Sequence, residues 1–349
     1  MNKENFSSLL ISWFRQHVRN LPWRHTRNPY RIWLSEIILQ QTRVEQGLPY
    51  YLKFVEKYHT IHDLAEADIS EVLRLWQGLG YYTRARNLHH TAKNIARNYG
   101  GKFPENYKDL LKLKGVGKYT AAAIASFAFG ENVALLDGNV LRVLARIFGI
   151  ETDIAANKGM EEFNKLANEL LPEHDSSLYN QAIMEFGALH CTPAAPKCET
   201  CPFNKDCIAN LFNKQGVLPV RIYKTKRRSR YFHYFVIRNE HSVLMKERIQ
   251  NDIWKGLYDF LLIEEDRLKQ FDEFKNSRLI KKLISYQIKH ESIIYKHILT
   301  HQLIHTKFWV IQVDESKKIE KLAESFGLKC FDINKINELP KPVLINNFL

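Results

Sequence analysis

The spacing of apolar and polar residues changes character partway along the chain. Up to about residue 215 the period is helical almost throughout. Leu141, Leu144, Ile147 and Phe148 recur at three- and four-residue intervals, and Phe163, Leu166 and Leu170 repeat the pattern. Short connectors, GGKFPEN (100–106) and a Gly-containing loop at 78–80, separate the helical segments. From residue 231 the signal is strand-like. YFHYFVIR (231–238) and SVLMKE (242–247) flank Asn239-Glu240-His241, which reads as a hairpin turn. Further strands are predicted at 286–291, 293–299 and 306–313, with helices near 264–275 and 316–326. There is no internal repeat. The pattern predicts a multidomain chain: an all-α domain over 1–215, then a smaller α+β domain over 231–349.

A length of 349 residues is enough for two separate cores, and 45% hydrophobic with 26% charged residues excludes wholesale disorder. No apolar run reaches membrane-spanning length; the best, from Thr120 to Leu136, is broken by Glu131 and Asn132. The N-terminal stretch reads as an amphipathic helix with charges throughout rather than a signal peptide, so a cytoplasmic protein with no membrane partner is expected. Lys and Arg number 51 against 38 Asp and Glu, a formal charge of +13. The stretch 216–230, GVLPVRIYKTKRRSR, holds six basic residues and no acidic one. It reads as a basic linker, either meeting a polyanion or forming a solvated hinge.

Three features carry candidate chemistry. Gly115-Val116-Gly117 stands between two helical patterns, where the glycines permit a tight turn. The N–H groups of the next helix, with Lys118, would form a phosphate site, although a plain helical corner has the same local signal. The flanking residues make the full string LKGVGKYTAAAI resemble the helix-hairpin-helix of DNA repair glycosylases. Cys191, Cys198, Cys201 and Cys207 form C-x6-C-x2-C-x5-C. Four thiolates this close require a metal centre, and residue chemistry alone leaves zinc and iron–sulfur both open. Cys330 stands apart and reads as a small buried hydrophobe. Glu36 lies in the helical segment from Pro29, on an arc among Ile32, Trp33 and Leu39. Burial there raises a carboxyl pKa, as suits a proton donor or a structurally paired acid. Asp137 precedes a strongly periodic helix, the position of an ordinary N-cap.

Taken together, LPWR (21–24), WLSEIILQQTRV (33–44), WQGLGYYTRARNL (76–88), LKGVGKYTAAAI (113–124), LLDGNVLRVLAR (135–146), NQAIMEFGALHC (180–191) and the cysteine loop resemble the adenine DNA glycosylase (MutY) family, of the endonuclease III superfamily. The resemblance implies a monofunctional glycosylase that hydrolyses the bond to adenine mispaired with 8-oxoguanine or guanine, after flipping the base out of double-stranded DNA. By that resemblance Glu36 protonates the leaving adenine and later helps to activate water. Asp137 stabilises the oxocarbenium-like sugar or bonds to it, with Tyr119 and Asn139 lining the sugar side. Trp23 and Gln181 would lie near the adenine, Gln41 and Tyr81 would fill the stack, and Gly115, Gly117 and Lys118 would hold phosphate. The four cysteines would ligate a [4Fe–4S] cluster that is structural and docks DNA. Bifunctional relatives carry a lysine nucleophile where this chain has Tyr119, which favours water as the final nucleophile. The alternatives are such a glycosylase/lyase and a catalytically silent lesion binder.

The tail resembles the MutT/Nudix-like domain at the C-terminus of the same family, through DIWKGLYDF (252–260) and LTHQLIH (299–305). Thr300 and His301 take the Ser and His places of the family's 8-oxoguanine reader, while Leu299 replaces its Phe. The glutamate-rich helix that binds Mg²⁺ in hydrolysing Nudix domains is lacking, which implies recognition rather than nucleotide hydrolysis. A monomer associated with the nucleoid through DNA is expected, and no motif identifies a sliding-clamp-type partner.

Overall fold

The computed structural model describes residues 3–222, 227–274, 277, 280–283 and 286–349. Its helices in the first half are α1 (Lys3–His17), α2 (Pro29–Leu39), α3 (Val44–Lys57), α4 (Ile61–Glu66), α5 (Ile69–Leu75), α6 (Thr83–Asn98), α7 (Tyr107–Leu110), α8 (Lys118–Phe129), α9 (Gly138–Phe148), α10 (Asn157–Leu170), α11 (Ser176–Leu189) and α12 (Ile208–Leu211). Contacts divide the chain into two units, one of residues 1–66 with 87–223 and one of residues 67–86 with 224–349.

The first unit is helical because its apolar residues can meet only at helical spacing. Phe6, Leu10 and Trp13 of α1 pack with Val143, Leu144 and Ile147 of α9 and with Ile183 and Phe186 of α11 in one core. The ring centroids of Trp13 and Phe186 lie 4.9 Å apart, edge to face. Helix α2 is sunk into this unit. Asn28 caps it by accepting the N–H groups of Tyr30 and Arg31, Pro29 supplies a pre-set first turn, and every residue from Tyr30 to Ile38 except Arg31 is buried. Helix α8 is as apolar, buried from Thr120 to Ser126, and Gly130 in the left-handed region ends it.

The second unit's strands are β1 (Arg228–Arg238), β2 (Ser242–Glu247), β3 (Tyr258–Asp259), β4 (Leu261–Glu265), β5 (Gln287–Glu291), β6 (Tyr295–Ile298), β7 (Gln302–Gln312) and β8 (Lys329–Asp332), with helices α13 (Ser316–Phe326) and α14 (Val343–Asn346). The sheet order is β3-β2-β1-β7-β5, with β4 also on β1, β6 on β7 and β8 on β2. Among the described strands only β1 and β7 run parallel, in a register that sets Tyr234 opposite Phe308 and Phe235 opposite Trp309. Phe235, Leu244, Trp309 and Ile311 pack beneath Ile319 and Leu322 of α13. The expected turn at 239–241 forms, closed by the Asn239 side-chain carbonyl, which accepts the N–H groups of His241 and Ser242 at 2.9 and 2.6 Å.

Three expectations are corrected. No helix occupies 264–274; β4 runs to Glu265 and only a short 3-10 turn follows at Phe271–Phe274. Pairing of Leu261 to Glu265 with β1 outweighs the local helical period there; residue 275 lies outside the described residues. The stretch 216–230 is narrower as a linker than its charge suggested. Leu218 is buried in the first core, and Arg230 lies in β1 with its guanidinium held by Asp252 and Glu264 at 2.7 and 2.6 Å; residues 223–226 lie outside the described set. Cys330 is exposed, not buried, because β8 covers the sheet edge with most of its side chains outward.

One close approach ties the first core to the site described next. A Cβ added at Gly187 in α11 would stand 2.7 Å from Asn139 Cβ and 3.0 Å from the Asn139 carbonyl. Gly187→Ala is therefore expected to lower stability by about 1–3 kcal/mol, as overpacking does. Gly216→Ala, where nothing lies within 4 Å, should change it by less than about 0.5 kcal/mol. Urea unfolding midpoints of the two variants check this.

Candidate active site

Glu36 is the single carboxylic acid in the buried stretch of α2, and it is 6% exposed. Burial pushes its carboxyl up to about 7, the nearby Asp137 adds to the rise, and the Tyr119 hydroxyl and Arg24 guanidinium work against it. It opens on a cavity of about 930 Å³ bounded by α2, the N-termini of α8 and α9, α11 and the 19–27 segment. A carboxyl in this state exchanges its proton near neutral pH.

Asp137 borders the same cavity. It is the N-cap of α9: Oδ1 accepts the backbone N–H groups of Asn139 and Val140 at 2.9 and 2.7 Å, and Oδ2 accepts Asn139 Nδ2 at 2.7 Å. The capping expectation is met, and the cap stands at the cavity border. Burial raises its carboxyl from the ordinary range, while these donors and Arg142 draw it back. Arg142 extends the chain of contacts, donating to Asn139 Oδ1 at 2.9 Å and to the carbonyls of Gly187 and Cys191 at 2.6 and 2.7 Å.

The other sequence-predicted residues divide between the two units. Trp23, Gln41, Tyr119, Asn139, Gln181, Gly117 and Lys118 all border the cavity with Glu36 and Asp137. The Tyr119 hydroxyl reaches Met184 Sδ at 3.7 Å, and Trp23 meets Tyr51 edge to face with centroids 5.0 Å apart. Lys118 is exposed to solvent at the cavity border. Gly115 has φ +80°, and a Cβ there would come 2.8 Å from Asn87 Cβ, so the hairpin turn requires glycine. Gln41 and Tyr81 both hold positive φ, 54° and 48°, conformations that cost energy in residues other than glycine. Tyr81 belongs to the second unit, where its hydroxyl hydrogen-bonds the Thr300 hydroxyl. Thr300 and His301 are exposed at the tip joining β6 to β7, a turn closed by Leu299 N–H to the Gln302 carbonyl at 2.8 Å.

Sequence reasoning missed Arg19, Arg24 and Glu185, which line the cavity as one cluster. Glu185 is 1% exposed and holds both guanidiniums. Its signal was present: an acid set among Ile183, Met184 and Phe186 in an otherwise apolar run.

Cys191, Cys198, Cys201 and Cys207 together surround a small cavity. The Cys201 thiol is pushed up to about 12, by burial above all and by the three neighbouring thiols, with the Phe203 N–H working against them. Arg146, 3% exposed, donates to Cys191 Sγ at 3.5 Å and to the carbonyls of Thr192, Pro193, Gln215 and Leu218, with no acidic partner among the described residues. A buried cation facing thiols suits thiolates charged by metal ligation. Among the described residues no three His, Cys, Asp or Glu side chains converge on one ion position. Four thiols bordering one cavity are a donor set able to hold a metal centre as thiolates.

The first unit is of the class that removes bases from DNA: residues 34–169 match the family model "HhH-GPD superfamily base excision DNA repair protein", and residues 233–349 match "NUDIX domain". The chain belongs to the adenine DNA glycosylase family. It is 32% identical over 311 residues, 87% of this chain and 86% of the relative, to an adenine DNA glycosylase of Buchnera aphidicola. Among solved structures it resembles a thermostable thymine-DNA glycosylase at 34% identity and TM-score 0.56, covering 60% of this chain and 97% of that one. An endonuclease III–DNA complex shares the fold at 24% identity and TM-score 0.53, over 62% of this chain and 99% of the other. This is a DNA glycosylase, its partner is DNA, and no described helix is long and apolar enough to cross a membrane.

The state of Glu36 has a consequence for stability. Its carboxyl is raised on folding from 4.5 to about 7, so the native state holds the proton more tightly than the unfolded chain. The folded form is favoured below about pH 4.5 and loses up to about 3 kcal/mol as pH rises through 7. Glu36→Gln removes that loss. It is expected to unfold at higher temperature than the wild type at pH 8, with no such gain at pH 4.5, as calorimetry would show.

Proposed function

We propose that this cavity receives adenine extruded from an A:8-oxoguanine or A:G mispair, and that the chain hydrolyses its N-glycosidic bond. The observation that carries the reading is the pair of carboxyls of unequal setting in one cavity. Glu36 is held protonated near neutral pH by burial, and Asp137 is held by helix N–H donors. Glu36 hands its proton to the adenine as the bond to the sugar breaks. The electron deficit left on the sugar is met by Asp137, and Tyr119 and Asn139 close that side. Water, with its proton taken by the Glu36 carboxylate, completes hydrolysis. Trp23 and Gln181 contact the base, the amide being able to donate to and accept from a purine edge. Gln41 and Tyr81 fill the gap in the stack, their strained backbones setting the side chains out from the surface. Lys118 and the hairpin N–H groups hold phosphate.

Thr300 and His301 are proposed as the reader of 8-oxoguanine, with the Thr hydroxyl retaining the donor and acceptor that recognition requires. The cysteines hold a [4Fe–4S] cluster, which when bound ties the C-terminal loop of the first unit to α9 through Arg146. The protein acts as a monomer in the cytoplasm, on the nucleoid.

Single-turnover assays with A:8-oxoguanine and A:G duplexes test the reading. Wild type should release adenine from both, and Glu36→Gln should lose at least about a hundredfold in rate, the usual scale of a general acid. No release by wild type would overturn it. Because Lys118 borders the cavity, borohydride trapping separates hydrolysis from lyase chemistry. A major adduct that disappears in Lys118→Ala would replace the hydrolytic reading. Purified protein should absorb in the visible at roughly 400 nm as iron–sulfur proteins do (on the order of four irons per chain), and Cys198→Ser should lose that band.

A further inference from the structure

We propose that Glu185 is a positioning residue of base excision: its carboxylate clamps Arg19 and Arg24 into one wall of the base cavity and, shared between them, offsets the positive charge that Arg24 presents to Glu36. The inference rests on Glu36 acting as the acid. Glu185 lies on α11, and Arg19 and Arg24 lie in the segment after α1. Oε1 accepts Arg19 N at 3.1 Å, Arg19 Nε at 2.8 Å and Arg24 Nη1 at 2.9 Å. Oε2 accepts Arg19 Nη2 at 2.7 Å and Arg24 Nη2 at 2.6 Å. One carboxylate thus takes five hydrogen bonds from two residues, more than a merely stabilising ion pair needs.

The clamp is the main anchor of both guanidiniums. Arg24 has one further anchor, its Nη1 to the Arg19 carbonyl at 3.0 Å, and its guanidinium lies over the Phe14 ring. Among the described residues the other acid that Arg19 approaches is Glu45, at 3.7 Å and largely exposed. Both line the cavity beside Trp23 and Glu36. Two guanidiniums side by side repel, and a shared carboxylate removes that repulsion while leaving a net charge of one. Burial alone would raise the Glu185 carboxyl, yet the Arg19 and Arg24 hydrogen bonds hold it at about 2, so it stays ionised throughout the working range.

The groups that face Glu36 are Tyr119 from α8, Asp137 at the head of α9 and Arg24. Tyr119 and Asp137 are untouched by a change at position 185. Arg24 favours the ionised form of Glu36, so its effect grows when its counter-charge is removed. The loss of Glu185 therefore makes the acid give up its proton at lower pH.

The test is the pH profile of single-turnover adenine release from an A:8-oxoguanine duplex. Glu185→Gln should move the alkaline limb down by about half a pH unit, read as an about threefold greater loss of rate at pH 8 than at pH 6. Arg19→Gln, which keeps the carboxylate and removes one cation, should move the limb to higher pH, and it serves if the Glu185→Gln protein does not fold. The double variant, with the charge restored to one, should return the limb towards wild type. A limb that stays in place in both single variants, with only melting temperature reduced, would reduce Glu185 to a structural ion pair and overturn the inference. A limb that moves up in Glu185→Gln would overturn it too, since Arg24 would then have left the wall. Failure of the acid reading has a different sign: undiminished release by Glu36→Gln.

Discussion

The first unit is organised around one costly act, the burial of a carboxyl group. Glu36 sits on a helix that is buried from Ile32 to Ile38, so it cannot turn to water without withdrawing Trp33 or Ile37. Among the described residues no cation pairs directly with this acid. The unit surrounds it with weaker, opposed influences from Tyr119, Asp137 and Arg24, and their balance leaves the proton mobile near neutral pH. Stability given up at that point is what makes proton transfer possible, and the apolar packing of α1, α8, α9 and α11 offsets it.

Two other ionisable clusters follow the opposite rule. At Glu185 a buried acid is paired so fully that it stays charged, and it serves by ordering arginines. At the cysteine loop, buried Arg146 has carbonyl and thiol partners and no carboxylate among the described residues. The three cases differ in how much compensating charge is supplied: little at Glu36, ample at Glu185, and at Arg146 an amount that awaits charged thiolates. That graded compensation separates the group that exchanges a proton from the groups that hold position.

Strained backbone recurs in both units. Gln41 follows the end of α2 and Tyr81 precedes α6, and both adopt positive φ without being glycine. The cost is of order 1 kcal/mol or more for each. In the second unit, the sheet positions the exposed turn at Thr300 and His301 by running β7 in long parallel register with β1. Where a glutamate helix would follow Gly256, the described residues form short strands instead.

Much of this architecture is legible in the sequence alone. The helical period, the Pro29 start, the α9 cap at Asp137, the hairpin at Gly115 and the cysteine spacing are local signals, and each is set by chemistry within a few residues. The burial of Glu36 is equally readable, because apolar neighbours cover most of the circumference of its helix. What only tertiary structure decided is which distant groups share a charge. Glu185 meeting Arg19 and Arg24 joins residues more than a hundred and sixty positions apart, and the strand at 261–265 exists because β1 offers it a partner. Arg230 has the sequence setting of a solvated charge, yet Asp252 and Glu264 close around it. Periodicity along a chain reports which face of an element turns inward; it carries no record of which element will be waiting there.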